Sequence, residues 1–361
     1  MALPALFPLR LALFLLISAT ACYAQDPDSS TKKTPKIKVL PVPAFGHTPE
    51  TGTYVGAVCL FTLDFYRDTL TRTSNAKLEF NYTWRKQVIL EAGWNYFSRE
   101  EKWYTQGTLQ YSKFPDYYYG IGATTSDAAQ VLYQSNRMVA DVNLLKNINR
   151  KFFIGPRLRY INYYALSYDT TDNYHAELVD ANIVGGGFTA LKDTRNNLLN
   201  PAAGTYLELT NTYNGSAGVP VYSKLLADAR GYKTLWPNVV IAGRFLNEFT
   251  FGNPPFYDYS LIGGDKKVRG FYFGRFRDKN LSTLQAEVRF KVVWRFGAAV
   301  FGGISKLYPS FDKLSLNDIK PNYGAGIRFV IDRKQNINLR FDYALASDGQ
   351  DGFYVSFGES F

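Results

Sequence analysis

From about residue 36 onward, apolar and polar positions alternate in runs of roughly ten to fifteen residues separated by turn signals, and no helical period persists. In NINLRFDYAL, Ile337, Leu339, Phe341, Tyr343 and Leu345 share one face, while Asn338, Arg340, Asp342 and Ala344 share the other. In LSTLQAEVRFKVV the same split sets Leu284, Ala286, Val288, Phe290 and Val292 against Gln285, Glu287, Arg289 and Lys291. An apolar outer face and a charged inner face is the pattern of a transmembrane strand, although a soluble sheet with one wet face gives it too. Its recurrence to the last residue favours the membrane: in GFYVSFGESF, Phe353, Val355, Phe357 and Phe361 fall on one predicted outward face.

Fifteen strands can be counted, near 53–65, 75–86, 87–98, 101–113, 131–147, 150–168, 182–193, 203–214, 221–234, 236–250, 280–293, 295–305, 320–331, 334–346 and 350–361. A single-chain bacterial barrel closes with an even number. Long connections at 114–130, 169–181 and 251–279 belong outside the cell, and short ones such as 98–102 and 146–150 belong in the periplasm. That alternation requires one more ascending strand before residue 53, and KIKVLPVPAFG, residues 36–46, supplies it. Its two prolines suit a seam, where one row of amide donors is not fully used. The predicted fold is all-β: a transmembrane antiparallel barrel of sixteen strands, weakly sealed at the first.

Composition supports this. The chain has 27 Tyr, 27 Phe and 29 Gly against 2 Met and 2 His, and its mean hydropathy of −0.20 suits a barrel whose lipid-facing and lumen-facing residues average out. After residue 24 no apolar stretch approaches the ~20 residues of a spanning helix. Residues 1–24, with Arg10 and an apolar run from Leu11 to Ile17, read as a signal peptide cut after Ala24; a cut before Cys22 would instead make a lipoprotein. Residues 25–35 read as a disordered periplasmic lead-in and 36–361 as the barrel. Cys59 is the only other cysteine, so no disulfide framework is available. Export makes nucleic acid an unsuitable partner for the net charge of +10; a basic lumen or anionic lipid headgroups suit it better.

The segment GGDKKVRGFYFGRFRDKN, residues 263–280, lies in the largest predicted extracellular connection and carries too many aromatics to leave in water, so it is expected to fold into the lumen. Val268-Arg269-Gly270-Phe271 within it resembles the signature of the BamA/TamA superfamily, the bacterial surface-antigen barrels that insert or translocate proteins at outer membranes. Asp193-Thr194-Arg195-Asn196-Asn197, followed by Asn200-Pro201 and Gly204, is similar to the family's turn between its eighth and ninth strands. Gln285 to Phe290 resembles the strand after the signature loop. The resemblance implies a loop held in the lumen by the signature arginine and a bacterial outer-membrane location. It also implies contact with outer-membrane lipid and lipopolysaccharide, and with the barrel assembly machinery as client or assistant.

There are departures. Family members normally carry periplasmic repeats before the barrel, and only about eleven residues are expected there. The family's acidic partner for the arginine falls at Gly303, so Glu287 or Asp342 must take its place, because an unpaired guanidinium in a partly dry lumen is costly. Phe357 and Phe361 resemble a barrel's assembly signal, with Glu359 where an apolar residue is usual. The Asp193–Gly204 segment otherwise reads as a local turn shaped by Asp, Asn, Pro and Gly. Trp84, Trp94, Trp103, Trp236 and Trp294 read as girdle or loop-packing residues.

No enzyme is expected: His47 and His175 are the only histidines, and pairing His175 with Ser126 or Ser167 would be guesswork. No metal or cofactor motif is present. Two functions remain open: assisted insertion or translocation of proteins through a lateral seam, or a passive pore with a basic, anion-preferring lumen.

Overall fold

The computed structural model describes residues 35–48, 51–68, 70–149, 151–169 and 175–361. The expected signal peptide, both expected cleavage sites and almost all of the expected lead-in lie outside the described residues, as does the side chain of His47. The strands are β1 (Lys36–Thr48), β2 (Gly52–Asp64), β3 (Ser74–Thr83), β4 (Val88–Phe97), β5 (Trp103–Tyr118), β6 (Val131–Asn149), β7 (Phe152–Tyr168), β8 (Ala181–Asp193) and β9 (Gly204–Ser216). They continue with β10 (Val219–Trp236), β11 (Val239–Phe251), the two-residue β12 (Ser260–Leu261) and β13 (Arg277–Asp278), β14 (Asn280–Val293), β15 (Phe296–Tyr308), β16 (Lys320–Asp332), β17 (Ile337–Ala346) and β18 (Asp351–Phe357).

β12 and β13 pair only with each other, inside the long connection. The other sixteen form one sheet in chain order, each antiparallel to its neighbours. This is the number required for both edges, β1 and β18, to begin and end at the same rim. Several strands are longer than the alternation suggested: β5 runs to Tyr118 through Pro115, and β10 covers Val219–Trp236. β18 is shorter, stopping at Phe357 rather than 361.

The period-2 pattern is realised as two faces. Leu158, Phe188, Leu209, Tyr213, Phe245, Ile327 and Tyr343 are exposed outward, and Arg289, Arg328, Arg340 and Asp342 are buried inward. The apolar core therefore lies inside the barrel as separate clusters. One gathers Tyr118, Tyr133, Tyr163, Ile183 and Phe256 toward the long-loop end. Another stacks Phe97, Tyr104, Leu145, Phe153 and Leu191 toward the short-turn end. Among the described residues no helix is long and apolar enough to cross a membrane, and strands satisfy their backbone polar groups between themselves.

Among the described residues β1 and β18 share no ladder; the sheet order begins at one and ends at the other. Pro41 and Pro43 have the same parity, so both imino nitrogens face the same side of β1. The β1–β2 register runs through them without a shift, so that side is the one facing β18. Two of the donors that could have sealed the barrel are absent by covalent structure.

An outward face that meets lipid rejects charge. Leu158→Arg, near the middle of β7, should lower stability by about 2–4 kcal/mol in bilayer unfolding titrations; an unchanged midpoint would show that this face does not meet hydrocarbon.

Candidate functional site

The connection from Gly252 to Lys279 turns inward at the long-loop end and fills one side of the lumen. Its root is a short 3-10 turn, Phe256–Asp258, all three residues buried. Tyr257 stacks on Tyr163 at 3.9 Å, and Phe256 meets Tyr118 and Tyr133 edge-on. Asp258 accepts hydrogen bonds from Arg159 at 2.9 Å and from Tyr222, and an ion pair from Lys224 at 3.3 Å. Burial alone would push this carboxyl up, but Lys224 and Arg159 hold it well below the usual carboxylate range.

Beyond the root, the β12–β13 ribbon carries the tip to the opposite wall. Arg269 is among the most buried side chains of the protein. It donates to Glu287 on β14 at 2.6 Å and to Asp342 on β17, while its guanidinium lies 3.4 Å over the Phe301 ring on β15. Both acids on the lumen face meet it at once. The carboxylates are shared further: Arg289 donates to Glu287 at 2.6 Å, Arg340 to Asp342 at 2.9 Å, and Arg328 also donates to Asp342. Charges of both signs are thus packed so that none is stranded, the condition for keeping them out of water.

Gly303 stands where the family's acid would be, and the structure has no room for one. A side chain there would meet Gln285 Cγ and the Leu284 carbonyl at 2.9 Å and Asn322 Oδ1 at 3.0 Å. Gln285 and Asn322 are its neighbours across the two ladders and are spent on the loop backbone, donating to the carbonyls of Lys267 (2.6 Å) and Arg269 (2.9 Å). The acid has in effect moved one strand over, to 287, and across to 342.

Gly270 has φ +102°, and an added Cβ would meet Ala346 and Leu345 at 3.1–3.2 Å; its N–H donates to Tyr354 Oη on β18 at 2.9 Å. Phe271 packs with Ile262, Val268, Phe276, Leu281 and Leu307. The tip is therefore fastened to β14, β15, β16, β17 and β18.

At the short-turn end, the Asp193–Gly204 segment does more than turn. Asp193 is fully buried, held by Arg195 at 2.9 Å and by Arg72 at 2.9 Å, and Gly204 takes φ +103°. The intervening residues reach across the mouth. The Pro201 carbonyl accepts from Arg289 at 2.9 Å, Asn197 donates to the Gln335 carbonyl at 3.1 Å, and the Leu199 carbonyl accepts from Glu359 N–H at 2.7 Å. Leu199 also packs against Val58, Leu60 and Ile337 beside Leu40, Ala44 and Phe357, that is, against both sides of the seam from within. Reading the segment as purely local missed this. The available signal was the pair Leu198-Leu199, two apolar residues in a turn that should otherwise be polar.

Three placements correct the sequence-based expectation. Phe361 does not share the outward face of Phe353 and Val355. The chain leaves β18 at Gly358, φ +72°, and turns inward, where Phe361 packs on Tyr232 and Ala242. The charge at Glu359 explains the turn: it is buried against Arg328 at 3.1 Å and Asn338 at 2.9 Å, which a lipid-facing strand could not offer. Phe357 is the last residue on the strand and joins the seam cluster. Ile337, expected outside, is likewise drawn inward against Val58 and Leu60. His175 lies beside Glu177, 3.2 Å from its carboxylate, and edge-on to Tyr118.

Beside the loop, two cavities of about 820 and 450 Å³ run along the β2–β6 wall, the larger reaching Pro43, Ala44, Val355 and Phe357 at the edge strands. Seven basic and eight acidic side chains line them together. The lining of these two cavities is therefore close to neutral.

Comparison with known proteins matches residues 60–361 to the Omp85 superfamily domain. Among solved structures, BamA from Haemophilus ducreyi lacking POTRA domains 1-3 is similar at 13% identity and a TM-score of 0.56, covering 90% of this chain and 70% of that one. CdiB from Acinetobacter baumannii is similar at 10% identity and 0.57, covering 90% and 60%. CdiB from Escherichia coli gives 10% and 0.55, covering 91% and 62%. At these identities the likeness is one of fold, and the chain spans about 60–70% of those chains. No curated protein matches.

Breaking the Arg269 cluster should cost about 3 kcal/mol in Arg269→Ala, the low end for a broken buried pair because Glu287 and Asp342 keep other arginines. Arg269→Lys should not restore it, lacking the planar fork; urea midpoints of the refolded barrel would show both. Gly303→Asp should destabilise the protein rather than strengthen the lock. At the root, the depressed Asp258 contributes stability that is full above the ordinary carboxylate pKa near 3.9 and is lost as pH falls through its lower folded value. Protection of the 252–279 segment from acid-active protease should therefore persist at pH 4 in the native protein and fail there in Asp258→Asn.

Proposed function

The chain belongs to the Omp85 superfamily, and on that premise we propose that it assists insertion or translocation of other proteins at the outer membrane by opening the seam between β1 and β18. The observation that carries this reading is the seam itself. Two edge strands lie side by side without a ladder, and Pro41 and Pro43 remove donors from the facing edge. Among the described residues, the ties across it include the Tyr54 hydroxyl on the Val355 carbonyl at 3.3 Å, the Lys38–Asp332 ion pair and the apolar cluster around Leu199, and no ladder.

The loop gives the opening a direction. Arg269, Gly270 and their partners bind the tip to β14–β18, so that side moves or stays as a block. β1 and β2 carry far fewer ties to it. An incoming strand can then pair with an exposed edge through main-chain hydrogen bonds, the general mode of β-augmentation. In this reading Arg269 keeps the block rigid and the lumen filled while the seam is open.

A passive, anion-preferring pore is less well supported. Seven basic against eight acidic lining residues give no reason for anions to concentrate in the open cavities beside the loop.

The reading is tested by a disulfide scan between residues 41–45 and 353–357 in a Cys59→Ser background, measuring how fast a client barrel inserts into vesicles containing the protein. A locked seam should abolish the assistance and reductant should restore it, whereas a disulfide placed between β9 and β10 should change nothing. Full assistance from the locked protein would rule the seam out.

A further inference from the structure

The net charge of +10 is spread unevenly over the molecule. The two rims differ in sign. Among the described residues, the seven connections at the short-turn end (65–73, 98–102, 150–151, 194–203, 237–238, 294–295 and 333–336) carry nine basic and three acidic residues. Leaving the lumen loop aside, those at the long-loop end carry three basic and seven acidic. The barrel is electrically polar along its axis.

Strand ends sharpen the asymmetry. Lys146 on β6, Lys192 on β8 and Lys233 on β10 are all exposed near the short-turn ends of their strands. Their sequence neighbours Leu145, Leu191 and Tyr232 are buried inward, so the three lysines point out of the barrel. Each has an exposed apolar residue opposite it in the ladder: Trp103 across from Lys146, Phe152 across from Lys192, Ile241 across from Lys233. Lys146 Nζ lies 6.0 Å from the Trp103 ring, and around the rim Arg295 sits 5.5 Å from that of Trp294. A cation beside an aromatic or aliphatic side chain, repeated on alternate strands at one level, is the arrangement that puts stems in hydrocarbon and charges among headgroups.

We propose that this collar binds the phosphodiester headgroups of anionic phospholipids in the leaflet at the short-turn end, with Lys146, Lys192 and Lys233 as ligands. A phospholipid is favoured over an acidic protein because the lysines lie on the outward wall, in register with residues of the lipid-facing belt. The proposal rests on the outer-membrane reading of the barrel. The rim of opposite sign sets which end takes the anionic lipid, so the collar also fixes the depth and tilt of the wall beside the seam.

The test is native mass spectrometry of the full chain released from mixed micelles holding equal amounts of phosphatidylglycerol and phosphatidylcholine with identical acyl chains. About 1 kcal/mol per basic residue near an anionic surface corresponds to a preference of about fivefold for each bound headgroup. The native protein should retain phosphatidylglycerol preferentially, less so as salt rises from about 20 to 200 mM. Lys146→Gln/Lys192→Gln/Lys233→Gln should retain the two lipids equally, and the corresponding triple Lys→Arg variant should regain the preference. Equal retention by the native protein, or an unchanged preference in the Gln variant, overturns the proposal. So does retention of polyglutamate, lost in the Gln variant, without retention of phosphatidylglycerol. Failure of the native chain to refold into vesicles at all would instead strike at the membrane reading beneath it.

Discussion

A guanidinium buried in the lumen is the constraint around which this barrel is arranged. Withdrawing Arg269 from water demands carboxylates, and Glu287 and Asp342 supply them from two strands that are not neighbours. Those carboxylates need further cations, so Arg289, Arg328 and Arg340 are drawn in and bring Glu359 with them. The chain beyond β18 turns inward to deliver that acid, and Pro201 and Leu199 of the β8–β9 turn close over it. One buried charge thus accounts for the position of the loop, the path of residues 358–361 and the floor of the lumen.

What the chain's pattern reveals and conceals follows from the range of the forces. Strand number and facing were legible because a wall one residue thick imposes a strict period of two, visible in β14 and β17 without any knowledge of their partners. The need for a new partner for Arg269 was legible from charge compensation alone, once Gly303 was seen to lack an acid. That both Glu287 and Asp342 would serve together was not, because it depends on the loop reaching a point where β14 and β17 face one another across β15 and β16. Phe361 was misread because alternation predicts direction only while the backbone stays extended, and Gly358 ends that. The reach of Leu199 across the mouth was hidden for a similar reason: turn residues carry no period from which a destination can be inferred.

The two sides of the seam differ in how they are held. β14–β18 share the loop tip, so their inner faces act as one body bound by buried ion pairs. β1 has β2 on one side and, on the other, a facing edge from which two donors are missing. Such a difference in local stability lets one part of a closed sheet open while the rest stays formed. The arrangement does not require the loop to leave the lumen, since its ties all lie on the side that remains intact.

The placement of the loop also bears on how the molecule is made. Arg269 precedes the strands that carry its carboxylates, Glu287 by 18 residues and Asp342 by 73. Its contacts are therefore local compared with closure of β1 against β18, which joins the two extremes of the sheet. Contacts of short sequence separation close sooner and at less entropic cost than those spanning the whole chain. The tip can thus nucleate the wall that wraps it, β14 to β18 being laid down around a filling already in place. The plug is enclosed as the cylinder curls shut, and never has to be threaded into a finished one.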